Sequence, residues 1–234
     1  MFDNYPDWSQ EFARKYLSRT INTFLLHGNV HDLVPLKDED GTEFHRLKSF
    51  LSDEFFGARD FVIFYDRSSG IYFRDKESQT DFNQAIAGRD SLIGTDYAKK
   101  MPKDPVRVFS LLEQYFRLRL DQKKSVALII DYAETIIPMS DAGSTGNLAD
   151  LNKTLIQNPY TTEIKITIPG EKNRLDFINF ETENDEFEKL SEVKPEIIAQ
   201  QTAGLNYVNI RSVLSNAREN QETITFESLS ENKK

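Results

Sequence analysis

The sequence predicts an α/β fold, a mostly parallel sheet flanked by helices and followed by a small helical lid. Three observations carry this. Short apolar runs alternate with amphipathic helical stretches from residue 7 to residue 130, and strands spaced by helices of this length imply right-handed crossovers into parallel pairing. The run SVALII at 125–130 holds five apolar residues and stops at Asp131. A strand buried on both faces looks like this when it delivers a carboxylate at its C-terminal edge, although a core strand that merely turns polar has the same pattern. From Glu171 onward the periodicity is mainly helical.

Taken in order, residues 7–20 place Trp8, Phe12, Ala13, Tyr16 and Leu17 on one helical stripe, with Asp7 and Gln10 spaced as a capping box. TFLLHG at 23–28 predicts a short buried strand ending in glycine, and residues 29–42 a loop. A second amphipathic helix is expected over 43–57, where Phe44, Leu47, Leu51 and Phe55 share a stripe and Gly57 supplies a stop. FVIFYD at 61–66 predicts a buried strand, and RSSG before IYF a turn into an edge hairpin. Residues 75–104 are polar, with one short helix near 82–87. Asp104 then caps a helix that opens on Pro105, where a missing N–H costs nothing.

Beyond the central strand, 148–158 reads as helix and 162–168 as strand, stopped by Pro169. Helices follow near 171–179 and 195–202, and a third is opened by Gly204 and Asn206. Residues 223–229 suit a terminal strand or extended segment. These patterns place an α/β core at 1–169 and a helical lid at 170–234.

Composition narrows the function classes. With 38% hydrophobic residues in 234, the chain can bury a sizeable core. A net charge of −9 argues against nonspecific nucleic-acid binding, which needs a cationic surface. The absence of cysteine removes disulfide and thiolate chemistry. His27, His31 and His45 have no metal-ligand spacing. No apolar run approaches the length of a membrane span, and the start MFDNYPDW lacks a leader pattern, so a soluble cytoplasmic protein without a membrane partner is expected.

Three stretches together resemble an AAA+ ATPase module with a P-loop NTPase-like fold: SVALIIDYAE, ITIPGEKNRLDFI at 166–178, and TAGLNYVNIRSVL at 202–214. The resemblance spans roughly residues 20–228. It is to the degenerate N-terminal module of bacterial tandem AAA proteins of the Vps4/cell-division type, in which an intact module follows. It implies a ring, usually a hexamer, acting on a protein substrate, with ATP and Mg²⁺ as cofactors of the full-length protein.

The family's functional positions transfer unevenly. The P-loop follows the strand TFLLHG, so its place is Gly28, Asn29, Val30, His31 and Asp32. The second glycine, the lysine and the hydroxyl residue of G-x-x-x-x-G-K-[ST] are all missing there, and Asp32 sets a negative charge where a polyphosphate would lie. Asp131 matches the Walker B aspartate that holds magnesium. Tyr132 stands at the place of the catalytic glutamate, with Glu134 displaced from it. Asn147 is the candidate first sensor, and Gly204 opens the second-sensor helix, where Tyr207 and Val208 replace an arginine. Residues 138–146 are too few for the helix and strand that follow Walker B in the family, so a segment is shortened or missing near 140–147.

Three functional readings follow. The first is a degenerate module that serves assembly or substrate engagement in a protein-remodelling ATPase. The second is an active ATP-hydrolysing domain with a divergent phosphate loop. The third is a plain α/β interaction domain. ATP and Mg²⁺ need not bind this chain under the first or third.

Overall fold

The computed structural model describes residues 4–37, 41–136, 158–183 and 187–231. The elements are α1 (Asp7–Leu17), β1 (Thr23–Gly28), β2 (Leu33–Lys37), β3 (Thr42–Arg46), α2 (Leu47–Phe50), β4 (Phe61–Asp66), β5 (Gly70–Phe73), α3 (Lys76–Ile93), α4 (Pro105–Asp121) and β6 (Val126–Ile130). They continue with β7 (Thr161–Ile166), α5 (Glu171–Glu181), α6 (Phe187–Leu190), α7 (Pro195–Gln201), α8 (Tyr207–Asn220) and α9 (Phe226–Glu231). The fold is α/β, with parallel strand pairing and flanking helices. Two compact units form. One comprises Met1–Thr20, Leu26–Leu47 and Glu163–Lys234, the other Ile21–Leu25 and Lys48–Thr162.

The second unit is built on the strand order β5-β4-β6. Strand β4 is buried at all six positions. It pairs in parallel with β6, from Phe61↔Val126 to Tyr65↔Ile130, and antiparallel with β5. The expected turn forms because Asp66 Oδ1 accepts from the Ser68 and Ser69 amides at 2.9 and 2.7 Å. Strand β6 is not buried on both faces: Ala127 alone is buried, because β4 holds the middle of the sheet and β6 lies beside it. Helices α3 and α4 close one apolar core, in which Ile63, Tyr65, Phe82, Ile86, Leu112 and Tyr115 are buried. Each such side chain contributes about 1.5–3 kcal/mol on leaving water.

Helix α3 is longer than the short helix expected, since Asp75 caps it by accepting from Ser78 N and Gly94 ends it with φ +74°. A low-amplitude apolar pattern hid it: Phe82 and Ile86 are buried, but few other apolar side chains mark the face. Asp104 caps α4 as expected, accepting from Arg107 N at 3.1 Å. Buried Arg119 ties the two helices by donating from Nε to Asp81 Oδ2 at 2.8 Å.

In the first unit the core is Phe177, Ile178, Ile198, Tyr207, Ile210 and Leu214. Two expectations fail here. Residues 29–42 are not one loop and 43–46 are not helix; β2 and β3 pair antiparallel from Leu33↔Arg46 to Lys37↔Thr42. The helical stripe was real as spacing but divided in use. Phe44 packs on Phe177 and Tyr207 at 4.7 and 5.2 Å between centroids, whereas Leu51 and Phe55 are buried in the second unit, on a π-turn that follows α2. Tertiary packing overrode periodicity.

The capping box at α1 is also absent. Pro6 occupies the cap, and Gln10 donates instead to the Tyr5 carbonyl at 3.0 Å. The third lid helix is opened by Asn206, as expected. The segment 223–229 makes a single parallel bridge, Ser191↔Ile224, before turning into α9. The helix expected at 148–158 and the shortened connection near 140–147 lie outside the described residues.

Candidate functional site

In the first unit, β1 brings the chain to Gly28, where the backbone turns with φ +88°. A Cβ there would stand 2.6 Å from the Ile166 carbonyl oxygen, so glycine is required by the neighbouring backbone. Asn29 N then donates to that same carbonyl at 2.9 Å. Val30 N turns back onto Gly28 O at 2.9 Å, and His31 is exposed at the turn's crest.

Asp32 follows, with only 4% of its surface exposed. Its Oδ2 accepts from Tyr207 N at 3.1 Å and from Asn29 Nδ2 at 2.7 Å. Its Oδ1 accepts from Val208 N at 3.1 Å. Tyr207 and Val208 are the first two residues of α8. Asn206, at the cap, accepts from Asn209 N at 2.9 Å through its side chain and from Ile210 N at 3.1 Å through its carbonyl. The N–H groups of Tyr207, Val208 and Asn209, which the helix start leaves without intrahelical partners, are therefore engaged by side chains, and Ile210 N begins the intrahelical ladder. Burial, with the Asp32 and Asp176 carboxylates, pushes the Tyr207 phenol up from its usual range.

The loop expected to take the P-loop's place thus comes together with the helix expected to carry the second sensor, but through a carboxylate. The first N–H groups of α8 are occupied by Asp32, and no lysine or hydroxyl stands in the loop 28–32. These residues do not fit a triphosphate. Gly204 lies two residues before the cap with φ +90°, where it permits the turn from α7 into α8.

In the second unit, β6 ends at Ile130, and Asp131 N donates to Tyr65 O at 3.0 Å, which extends the parallel ladder by one step. The carboxylate Oδ2 is paired with Lys48 Nζ, and the same ammonium donates to the Tyr72 hydroxyl. The ammonium also lies 5.0 Å from the centroid of the Tyr72 ring, which stacks on Phe64. Burial pulls the Lys48 ammonium down, but its bonds to Asp131 and Tyr72 outweigh this and leave it above the ordinary lysine range. Tyr132, where the resemblance expects the catalytic glutamate, is exposed and left-handed with φ 52°. Glu134 falls within the short turn Ala133–Thr135.

Among the described residues no group of three or more His, Asp or Glu could hold a metal ion. Asp131 has a lysine for its counter-ion, so the donor set around it does not fit Mg²⁺. Asn147 lies outside the described residues. Sequence reasoning missed Lys48, which carried no signal beyond its place in an amphipathic stretch. It also missed the use of Asp32, whose charge was legible but whose partners on α8 are 175 and 176 residues away.

A family described as "AAA+ chaperone, N-terminal Rossmann-like domain" matches residues 2–146. The chain belongs to the AAA+ chaperone family. A second family description, "AAA+ chaperone, second helical domain", matches residues 172–234. No curated protein matches the chain. In this member of the family the motif residues of ITIPGEKNRLDFI have structural work: Arg174, 5% exposed, donates to the Ala199 and Pro169 carbonyls at 2.9 and 2.7 Å. Ile178 lies at the centre of the lid core. No helix among the described residues is long and apolar enough to cross a membrane.

Proposed function

We propose that this chain is a degenerate, nucleotide-independent AAA+ module that serves assembly or substrate engagement within a protein-remodelling ATPase. The observation that carries the reading is Asp32. A buried carboxylate stands at the place expected for a phosphate and is held there by two N–H groups at the start of α8, at 3.1 Å each. Coulomb repulsion from that carboxylate disfavours a polyphosphate at the same place. Asp131, the one matched Walker residue described with its side chain, is neutralised by Lys48.

ATP and Mg²⁺ then belong to an intact module of the full-length protein, which resembles the tandem Vps4/cell-division type. The chain joins a ring, a hexamer by that resemblance, engages a protein substrate in the cytoplasm, and divides into an α/β core at 1–169 and a lid at 170–234. Neither nucleic acid nor a membrane is a partner in this reading. Isothermal titration of the chain with ATP and Mg²⁺ tests the proposal: no heat of binding is expected, and micromolar binding overturns it.

A further inference from the structure

We infer that Asp32 is a built-in anion that clamps the first turn of α8 to the loop after β1, so that the lid helix is held there without any ligand. The inference deepens the reading of a nucleotide-independent module and can fail separately from it.

The start of a helix carries positive potential and unpaired N–H groups, which cap side chains, water or a bound anion can satisfy. Here the anion is part of the chain. Both oxygens of Asp32 are used on α8, one on Tyr207 N and one on Val208 N. The carboxylate is itself oriented by Asn29 Nδ2 at 2.7 Å. Asn29 also faces the cap, since Asn206 Nδ2 approaches its Oδ1 at 3.4 Å.

The other end of the loop is anchored independently. Asn29 N donates to Ile166 O at 2.9 Å, and Gly28 presses against that same carbonyl so closely that no Cβ fits. The loop is thus fixed at one side to the end of β7 and at the other to the start of α8. A freely dissociating anion would make the second attachment conditional on its concentration. A covalently carried one makes it permanent, at an effective concentration set by a short, anchored loop. Burial of Asp32 strengthens the contact, because charge-assisted bonds shielded from water exceed exposed ones.

Amide hydrogen exchange on the full chain, resolved at Tyr207 and Val208, tests the clamp. Asp32→Asn keeps the side chain's shape and removes its charge and one acceptor. Asp32→Ala removes the contact, and Asp32→Asn carries the test if Asp32→Ala does not fold. Protection at Tyr207 and Val208 is expected to fall about tenfold or more in Asp32→Asn, while Val62 and Leu112 in the second unit keep theirs. Unchanged protection at Tyr207 and Val208 overturns the inference. So does an equal fall at Val62 and Leu112, which would mark a general loss of stability. ATP binding to the unsubstituted chain would end the nucleotide-independent reading and leave the exchange result to stand by itself.

Discussion

Lys48 and Asp131 form an ion pair in which the ammonium also donates to the Tyr72 hydroxyl. The strand-end carboxylate that reads as a metal ligand in the sequence has a cation of its own. The two side chains are 36% and 32% exposed, so solvent screens the attraction. A double-mutant cycle with Lys48→Met and Asp131→Asn should return a coupling of about 0.5–1 kcal/mol. Additive effects in urea unfolding would mean that the pair contributes nothing. EDTA should leave the melting temperature of the unsubstituted chain unchanged, and a drop would reveal a bound metal.

The outline of the fold was legible because each of its main elements carries a local signature. Pro105 after Asp104, the Asp66-Arg67-Ser68-Ser69-Gly70 turn and the apolar block of β4 are short-range patterns, and each formed as read. The β2–β3 hairpin was not legible, because Phe44 falls on a helical spacing while its packing partners Phe177 and Tyr207 come from the far end of the chain. The site divides in the same way. The missing P-loop lysine is visible in one line of sequence. The use of Asp32 as an anion for α8 depends on a contact across 175 residues, which no local pattern encodes.

Gly28 tests what the glycine at the expected P-loop place is for. Its φ of +88° and the 2.6 Å approach of a Cβ to Ile166 O make any side chain costly, with or without a phosphate nearby. Gly28→Ala should destabilise the protein by about 2–3 kcal/mol through left-handed strain and the clash with backbone. Thermal unfolding in nucleotide-free buffer reads this directly. A melting temperature equal to that of the unsubstituted chain would contradict the close approach.

The acid limb of stability should report Asp66. Burial pushes its carboxyl up, but bonds from Ser68 and Ser69 pull it down further, to about 2. The folded value therefore lies below the unfolded one of roughly 3.9. The folded chain binds this proton less well, so the contribution is full above the unfolded value and is lost as pH falls from about 4 toward 2. Asp66→Asn keeps an acceptor for the two amides and removes the titration. Urea midpoints compared at about pH 5 and about pH 2.5 should fall less in Asp66→Asn than in the unsubstituted chain. Identical falls would place the acid sensitivity elsewhere.

Arg174 joins the turn at Pro169 to the end of α7. It is buried, and its fork serves two carbonyls in different directions, Ala199 O from Nε and Pro169 O from Nη1. Arg174→Ala leaves both carbonyls without their charged donor and should cost about 2–4 kcal/mol. Arg174→Lys should recover only part of this, because one ammonium on a flexible stem cannot hold both acceptors in the guanidinium's geometry. The loss should concentrate in the first unit, with exchange quickening at Ile198 and Ile178 before it does at Val62. If Arg174→Lys is as stable as the unsubstituted chain, charge alone is enough at this position and the paired carbonyl contacts are incidental.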